Sequence, residues 1–157
     1  MQGMLNKFHT VRGYQLLEQN KKILTSAMED YLEMIYRYCL TEGHVRINTI
    51  SELLNFQASS ATKMVQKLSE LGMVDYKKYG IISLTETGSE IGKFLLLRHH
   101  IIESFLKLLG VTDSLLRETE LIEHTISVDT LNRLHALTKL MEKYPELKKE
   151  YIRMLRE

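Results

Sequence analysis

The stretch ASSATKMVQKLSELGMVDYKKYGIISL, residues 58–84, decides the fold of this chain. Its first half spaces apolar residues three and four apart, which predicts one buried face of a helix from about Ala58 to Leu71. Gly72 follows as a natural left-handed helix end. The second half predicts two β-strands, Met73–Tyr76 and Ile81–Leu84, joined by a tip that carries two lysines. The stretch therefore predicts a helix followed by a basic β-hairpin.

Two further helices are predicted on the N-terminal side of this stretch. Ser26 and Glu29 have the spacing of a capping box, so a helix is expected to begin at Ser26 and to end near Gly43. A short second helix follows, and Asn55-Phe56-Gln57 connects it tightly to the helix at Ala58. Two short helices joined by such a turn form a helix-turn-helix. With the basic hairpin behind them, they predict a winged helix.

The C-terminal half predicts helices only. Thr85 is expected to cap a long helix from Glu86 to Leu109 that ends at Gly110. Further helices are expected at about 113–124, 128–144 and from Pro145 onward. The predicted fold class is mainly α, with an N-terminal winged helix-turn-helix, a two-stranded wing and a C-terminal helical dimerisation domain. The expected segments are an N-terminal extension, the winged-helix domain and a helical metal-binding and dimerisation domain, at 1–25, 26–85 and 86–157.

Composition narrows the class of protein. The chain has 157 residues, 44% of them hydrophobic, with one proline, which favours a compact helical protein. Its single cysteine, Cys39, excludes an internal disulfide. No secretion leader opens the sequence, and no apolar run approaches the roughly 20 residues that span a bilayer. A cytoplasmic protein without membrane contact is expected.

A net charge of +1 does not exclude DNA as a partner, because basic and acidic faces can cancel. The predicted solvent face of the third helix carries small hydroxyls and an amide that can approach base edges, together with lysines that can neutralise phosphates. These residues are Ser59, Ser60, Thr62, Lys63, Gln66 and Lys67. Lys77 and Lys78 lie where a wing would touch DNA. The alternative is the ordinary polar side of an amphipathic helix.

One such unit reads few base pairs, so a homodimer on a palindromic double-stranded operator is expected. The long helix carries more apolar residues than one face needs, which makes it, with the following helix, the candidate dimer seam. These residues are Ile91, Phe94, Leu95, Ile101, Ile102, Phe105 and Leu109. The alternative is that all of them fill the core of the monomer.

Carboxylates and histidines recur at helical spacing in three places. Asp30 and Glu33 share one side of the first helix, and a second cluster consists of Glu120, Glu123 and His124. His99 lies in the middle of the long apolar helix. Each element alone is more often a solvated face or a core histidine than a ligand. Together they offer an oxygen-rich donor set without thiolate, which suits manganese or a similarly hard ion.

The sequence resembles the diphtheria-toxin-repressor-like metalloregulators, and most closely their manganese transport regulator branch. The resemblance covers nearly everything after Thr25. The matching stretches are Ser26-Ala27-Met28-Glu29-Asp30-Tyr31-Leu32-Glu33, Ser59-Ser60-Ala61-Thr62-Lys63-Met64-Val65-Gln66-Lys67-Leu68, Ile91-Gly92-Lys93 with Arg98-His99, and Glu120-Leu121-Ile122-Glu123-His124.

The resemblance implies a DNA-binding repressor of manganese uptake genes that responds to Mn(II). It implies a cluster of two ions per subunit, bridged by carboxylates, and Fe, Co, Cd or Zn are expected as alternative divalent ions in vitro. The implied ligands are Asp30, Glu33, His99, Glu120, Glu123 and His124. The iron-responsive branch has methionine and cysteine at the positions of Asp30 and Glu120, so the harder pair here is similar to the manganese type.

Three alternatives stay open at this point. The chain could be an iron-responsive repressor of the same family, or a winged-helix regulator gated by a small organic ligand, with its acids forming a solvated patch. A di-metal helical enzyme is the third. Di-iron bundles use two Glu-x-x-His motifs on facing helices, and the sequence offers no such pair, so a non-enzyme is expected.

Overall fold

The computed structural model describes residues 12–157 of the chain. Within these residues the fold consists of eight α-helices and one small antiparallel sheet, as the fold class predicted. The helices are α1 (residues 12–20), α2 (Ser26–Glu42), α3 (Ile47–Leu53), α4 (Ala58–Glu70), α5 (Glu86–Leu109), α6 (Leu115–Glu123), α7 (Val128–Lys143) and α8 (Pro145–Met154). The strands are β1 (Val45–Arg46), β2 (Val74–Lys77) and β3 (Ile81–Leu84). The chain forms two compact units, one ending at Leu96 and the other spanning Leu97–Glu157.

Helix α2 begins where predicted, but a different residue caps it. The Thr25 hydroxyl accepts a hydrogen bond from the Met28 backbone N–H at 3.3 Å. Ser26, predicted as the cap, is instead the first helical residue, so the predicted capping box with Glu29 is wrong. Two adjacent hydroxyl residues make the same local signal, and only the backbone dihedrals of Thr25 select between them.

The helix-turn-helix is confirmed as α3 and α4. The Ser51 hydroxyl of α3 donates a hydrogen bond at 2.6 Å to the carbonyl of Phe56, in the turn that leads to α4. Ala61, Val65 and Leu68 of α4 are completely buried. This apolar stripe leaves the opposite side of α4 facing solvent.

The hairpin is confirmed as β2 and β3, paired from Val74 opposite Leu84 to Lys77 opposite Ile81. A third strand, β1, pairs with the other edge of β3 and makes the order β1-β3-β2. The sequence predicted two strands only. A two-residue strand carries no periodicity of its own, and its pairing depends on the position of β3.

The start of α5 is fastened to the base of the hairpin. The Thr85 hydroxyl accepts from the Gly88 backbone N–H at 3.1 Å and donates to the Gly72 carbonyl at 2.7 Å, which confirms the predicted cap. A Cβ built on Gly88 would lie 1.8 Å from the Met73 carbonyl oxygen. Glycine is therefore required where α5 passes the backbone just before β2.

Helix α1 lies within residues 1–25, which were predicted as an N-terminal extension. Gly13 allows α1 to lie against α5, because an added Cβ would be 2.5 Å from the Glu90 carbonyl oxygen. The Tyr14 ring packs on Phe94 with centroids 5.8 Å apart, and Leu17 is buried. Residues 12–20 of the extension thus form a packed helix, and residues 1–11 lie outside the described residues.

The second unit contains the end of α5 and the three predicted C-terminal helices. Ser127 caps α7 by accepting from the Thr130 backbone N–H, and Pro145 opens α8. The Tyr151 hydroxyl donates to the Leu109 carbonyl at 3.0 Å, which attaches α8 to the end of α5. None of the helices described between residues 12 and 157 is long and apolar enough to cross a bilayer.

Most of the apolar surplus of α5 is already used within the single chain. Phe105 and Leu109 are only half-buried. The buried members of the predicted seam are Ile91, Phe94, Leu95, Ile101 and Ile102. On α6, by contrast, Leu116 and Leu121 are 62% and 64% exposed. Of the two helices predicted for a dimer seam, α6 therefore supplies more exposed apolar surface.

Candidate metal centre and nucleic-acid interface

The solvent side of α4 presents nearly all of the polar residues predicted to face DNA. One of them has part of its hydrogen-bonding capacity engaged, because the Thr62 hydroxyl donates to the Ala58 carbonyl at 2.9 Å and the residue is half-buried. The exposed members of the set are Ser59, Ser60, Lys63, Gln66 and Lys67. The oxygen of Thr62 can still accept a bond, but its hydrogen is used within the helix.

Both lysines predicted for the wing are exposed at the end of the hairpin. Between Lys78 and Gly80 stands Tyr79, which the sequence analysis did not single out and which is 89% exposed. Arg46 on β1 is also exposed and was not among the residues predicted to bind DNA. The sequence feature that could have identified Tyr79 is the presence of an aromatic residue in the hairpin tip.

The two carboxylates of α2 lie in different environments. Asp30 is exposed, whereas the Glu33 side chain is only 12% exposed. The Arg37 guanidinium donates a hydrogen bond to Glu33 Oε2 at 2.8 Å. This partner was not predicted, although its spacing four residues along the helix is a usual one for ion pairs.

In the second unit, the carboxylate of Glu123 has one imidazole near each oxygen. His99 Nδ1 lies 2.9 Å from Glu123 Oε2, and both side chains are buried. His124 Nε2 lies 3.8 Å from Glu123 Oε1, with its side chain 17% exposed. Helix α5 supplies His99, and the end of α6 supplies the other two. Glu120 lies one turn earlier on α6 and is exposed.

One turn beyond His99 on α5, Glu103 is half-buried and held by Lys107. The Lys107 Nζ atom lies 2.8 Å from Glu103 Oε1. This hydrogen bond holds the pKa of Glu103 below its usual value. The Nδ1 atom of the exposed His100 lies 3.8 Å from Glu103 Oε2. Glu103 therefore keeps its negative charge on the outer side of α5.

The donors around Glu123 fit a divalent cation. They are imidazole nitrogens and carboxylate oxygens, a combination typical of first-row divalent metals. Burying a carboxylate is costly unless a cation or hydrogen-bond donors compensate it, and Glu123 is only 3% exposed. The one thiol of the chain, Cys39, is a poor metal ligand, because burial raises its pKa and keeps it protonated.

A winged helix with an exposed polar recognition helix, combined with a buried carboxylate and imidazole cluster in a helical unit, defines a class. It is the class of metal-dependent DNA-binding transcriptional regulators. Two family models match the chain. The N-terminal DNA binding domain of the iron dependent repressor matches residues 23–82, and its metal binding and dimerisation domain matches residues 85–151. The chain belongs to this iron-dependent repressor family.

Relatives of known name agree with this assignment. The HTH-type transcriptional regulator MntR of Lysinibacillus sphaericus (strain C3-41) is 39% identical over 127 residues, covering 80% of this chain and 91% of that protein. The MntR of Shouchella clausii (strain KSM-K16) is 41% identical over 119 residues, covering 75% and 83%. Both alignments extend over most of each protein.

Solved structures show the same fold. The manganese regulator SloR matches with a TM-score of 0.65 and 30% identity, covering 74% of this chain and 55% of that one. The T. acidophilum IdeR structure matches with a TM-score of 0.61 and 25% identity, covering 74% and 53%. The present chain spans little more than half of the length of these two proteins.

Proposed function

We propose that this protein is a manganese-responsive repressor that binds operator DNA as a homodimer and controls genes of manganese uptake and homeostasis. The observation that carries the proposal is the buried Glu123 carboxylate between His99 and His124, in a chain with an exposed recognition helix. The names of the relatives support manganese in particular, since MntR proteins and the manganese regulator SloR are among them.

The proposed ligands of two ions per subunit are the six residues that the resemblance implied. They are Asp30, Glu33, His99, Glu120, Glu123 and His124. Carboxylates outnumber imidazoles in this set, which favours Mn(II), although affinities of such donors rise from manganese toward later metals. Iron, cobalt, cadmium and zinc are therefore expected to bind in vitro. When bound, the metal supplies positive charge that offsets the repulsion among these acids.

The gating of DNA binding follows from which residues carry the ligands. Asp30 and Glu33 belong to α2 of the winged helix, and the other proposed ligands belong to α5 and α6. Without a cation, like charges oppose their approach. We propose that binding of metal by all of the proposed ligands together selects the arrangement of the dimer that fits the operator. Such coupling between effector and DNA is typically about 1–3 kcal/mol, or roughly 5- to 150-fold in affinity.

The proposed DNA interface is the solvent face of α4 together with the wing. Lysines neutralise phosphates, and the serine hydroxyls and Gln66 contact base edges. The residues proposed to bind DNA are Ser59, Ser60, Thr62, Lys63, Gln66, Lys67, Lys77 and Lys78. Two copies on a two-fold axis would read a palindrome, and exposed Leu116 and Leu121 on α6 support self-association.

The proposal also covers the domain organisation of the chain, its location in the cell and whether it is an enzyme. We propose a division into an extension, a winged-helix domain and a helical domain at 1–25, 26–85 and 86–157. A regulator of gene expression acts where the DNA is, so a cytoplasmic location is proposed. A non-enzymatic role is also proposed, since the family matched by both models is one of DNA-binding repressors.

The test uses a duplex that the wild-type protein selects from a random-sequence pool in the presence of Mn(II), called here the selected duplex. Its affinity is measured by fluorescence anisotropy with Mn(II) and with chelator, for wild type and for Glu123→Ala. Wild type is expected to bind roughly 5- to 150-fold more tightly with Mn(II), and Glu123→Ala is expected to lose that difference.

The control is Glu146→Ala, which removes an exposed acid on α8 and is expected to behave as wild type. Equal affinity with and without Mn(II) for every variant would refute metal gating. Calorimetry addresses the rival model of an organic effector, because that model predicts no stoichiometric heat of Mn(II) binding.

A further inference from the structure

The tip of the wing has an unusual backbone. Lys77 and Ile81 are the last paired residues of the hairpin, and three residues connect them. Tyr79, in the middle, has φ 69° and ψ 19°, in the left-handed region, and Gly80 follows with φ 73°. Left-handed conformations suit glycine and asparagine, and a bulky residue there is an outlier.

The fold explains Gly80 but not Tyr79. A Cβ added to Gly80 would lie 2.7 Å from Ile47 Cγ2, so no side chain fits at that position. The Tyr79 side chain, in contrast, is 89% exposed and gains almost no burial from its place. The strained backbone costs stability, and the exposed ring contributes almost none to offset it. Strain that the fold does not use is a reason to look for function.

The surroundings of Tyr79 indicate which partner its ring would meet. Lys77 and Lys78 are exposed beside it, so the tip combines two cations with one flat ring and a hydroxyl. This chemistry matches the sugar-phosphate edge of a DNA minor groove, where ammonium groups meet phosphates and a ring packs on deoxyribose. The tip also lies within the residues that match the DNA-binding family model.

Resting on the DNA interface proposed above, we propose that Tyr79 is a DNA-contacting residue that anchors the wing on the minor-groove edge of the operator. Its ring packs against a sugar, and its hydroxyl donates to a phosphate. The contact adds affinity and orients the wing, whereas base sequence is left to α4. The left-handed backbone serves this contact by projecting the ring away from the sheet.

The central test is Tyr79→Gly, which removes the ring and relieves the backbone. Its thermal midpoint is expected to equal or exceed that of wild type, while its affinity for the selected duplex with Mn(II) falls about tenfold, the loss of one well-made contact. Tyr79→Phe is expected to lose less, since it keeps the ring. Hydroxyl-radical footprinting should show loss of sugar protection at the positions nearest the wing.

Matched measurements separate this proposal from the metal-gating proposal. Tyr79→Gly is expected to keep the wild-type ratio of affinities with and without Mn(II), and the wild-type salt slope. Lys78→Ala should lower that slope by about one. Wild-type affinity and footprint for Tyr79→Gly would overturn the assignment, as would a large drop in its thermal midpoint, which would give Tyr79 a structural role. Neither result would bear on metal gating.

Discussion

The Nδ1 atom of His99 and the Oε2 atom of Glu123 lie 2.9 Å apart, and both side chains are buried. The pair joins α5 to the end of α6 across 24 residues of sequence. Two of the proposed ligands are thus held together by a hydrogen bond of the protein itself. A pair already placed in this way loses little conformational freedom when a cation binds.

This hydrogen bond is expected to stabilise the fold even without metal. Glu123→Ala should lower the free energy of unfolding by about 1–3 kcal/mol, because it removes a buried hydrogen bond to an imidazole. Glu123→Gln should lose less, since its amide oxygen can still accept. Urea unfolding in chelator, followed by circular dichroism, measures the difference.

The control for this prediction is Glu120→Ala, on the same helix but exposed. It is expected to leave metal-free stability almost unchanged while weakening Mn(II) binding, if Glu120 is a ligand as proposed. Equal metal-free stability of Glu123→Ala and wild type would show that the His99 contact contributes nothing to folding.

Gly13→Val is expected to destabilise the first unit. The new Cβ would meet the Glu90 carbonyl oxygen at 2.5 Å and the Phe94 Cβ at 2.8 Å, so α1 and α5 must separate. Forced overpacking of this kind costs typically about 1–3 kcal/mol. Thermal unfolding measures the loss. Gln15→Val places the same side chain at an exposed position of α1 and is expected to change stability far less.

Lys67→Ala is expected to weaken binding to all DNA sequences alike and to lower the slope of log affinity against log salt by about one. Gln66→Ala should leave the slope unchanged and relax preference at one base pair, by about 1–3 kcal/mol. Anisotropy titrations at several salt concentrations distinguish the two. Lys149→Ala on α8 makes the same change of charge and should have no effect; a slope change there would point to a different DNA-binding face.

Stability is expected to fall at alkaline pH. Burial raises the pKa of Tyr31 and of Tyr36, and the charge of Glu90 raises that of Tyr36 further, above the ordinary value of 10.0. Burial likewise raises the pKa of Cys39 above 9.0. A raised pKa means that the fold favours the neutral group, so this stabilisation is complete below the unfolded pKa and is lost as pH rises through the folded one.

Urea midpoints are therefore expected to stay nearly constant from about pH 7 to 8 and to decline as pH approaches about 10.5. Tyr31→Phe should reduce the decline, because it removes one of the buried titrating groups. Tyr79→Phe removes an exposed hydroxyl and serves as the control. A urea midpoint that is unchanged at high pH would contradict the prediction that these buried groups have raised pKa values.

Local periodicity made most of the fold predictable. The apolar spacing of Ala61, Val65 and Leu68 located α4, and the turn residues after Gly72 located the hairpin. The cap at Thr85 was also predicted, because a hydroxyl residue there is followed by a long helical pattern of apolar residues. These patterns involve residues within a few positions of one another, so they can be recognised in the sequence alone.

The candidate site was only partly predictable. The spacing of Glu120, Glu123 and His124 selected them, but it could not tell that Glu123 is buried while Glu120 is exposed. Arg37 lies four residues after Glu33 on the same helix, so this ion pair could have been predicted from the spacing, but it was missed. Tyr79 was missed because an aromatic residue in a hairpin tip is a weak signal by itself, and its left-handed backbone dihedrals cannot be read from the sequence.

By itself, the sequence determined the order of α2 to α8 and of the β2–β3 hairpin, the polar face of α4 and the candidate ligands, because periodicity and residue chemistry are local properties. Tertiary structure alone decided that Thr25 rather than Ser26 caps α2, that Gly13 brings α1 onto α5, and that His99 meets Glu123. The first outcome depends on the backbone dihedrals of Thr25, and the other two depend on contacts between residues far apart in the chain. All three exist only once the backbone has folded.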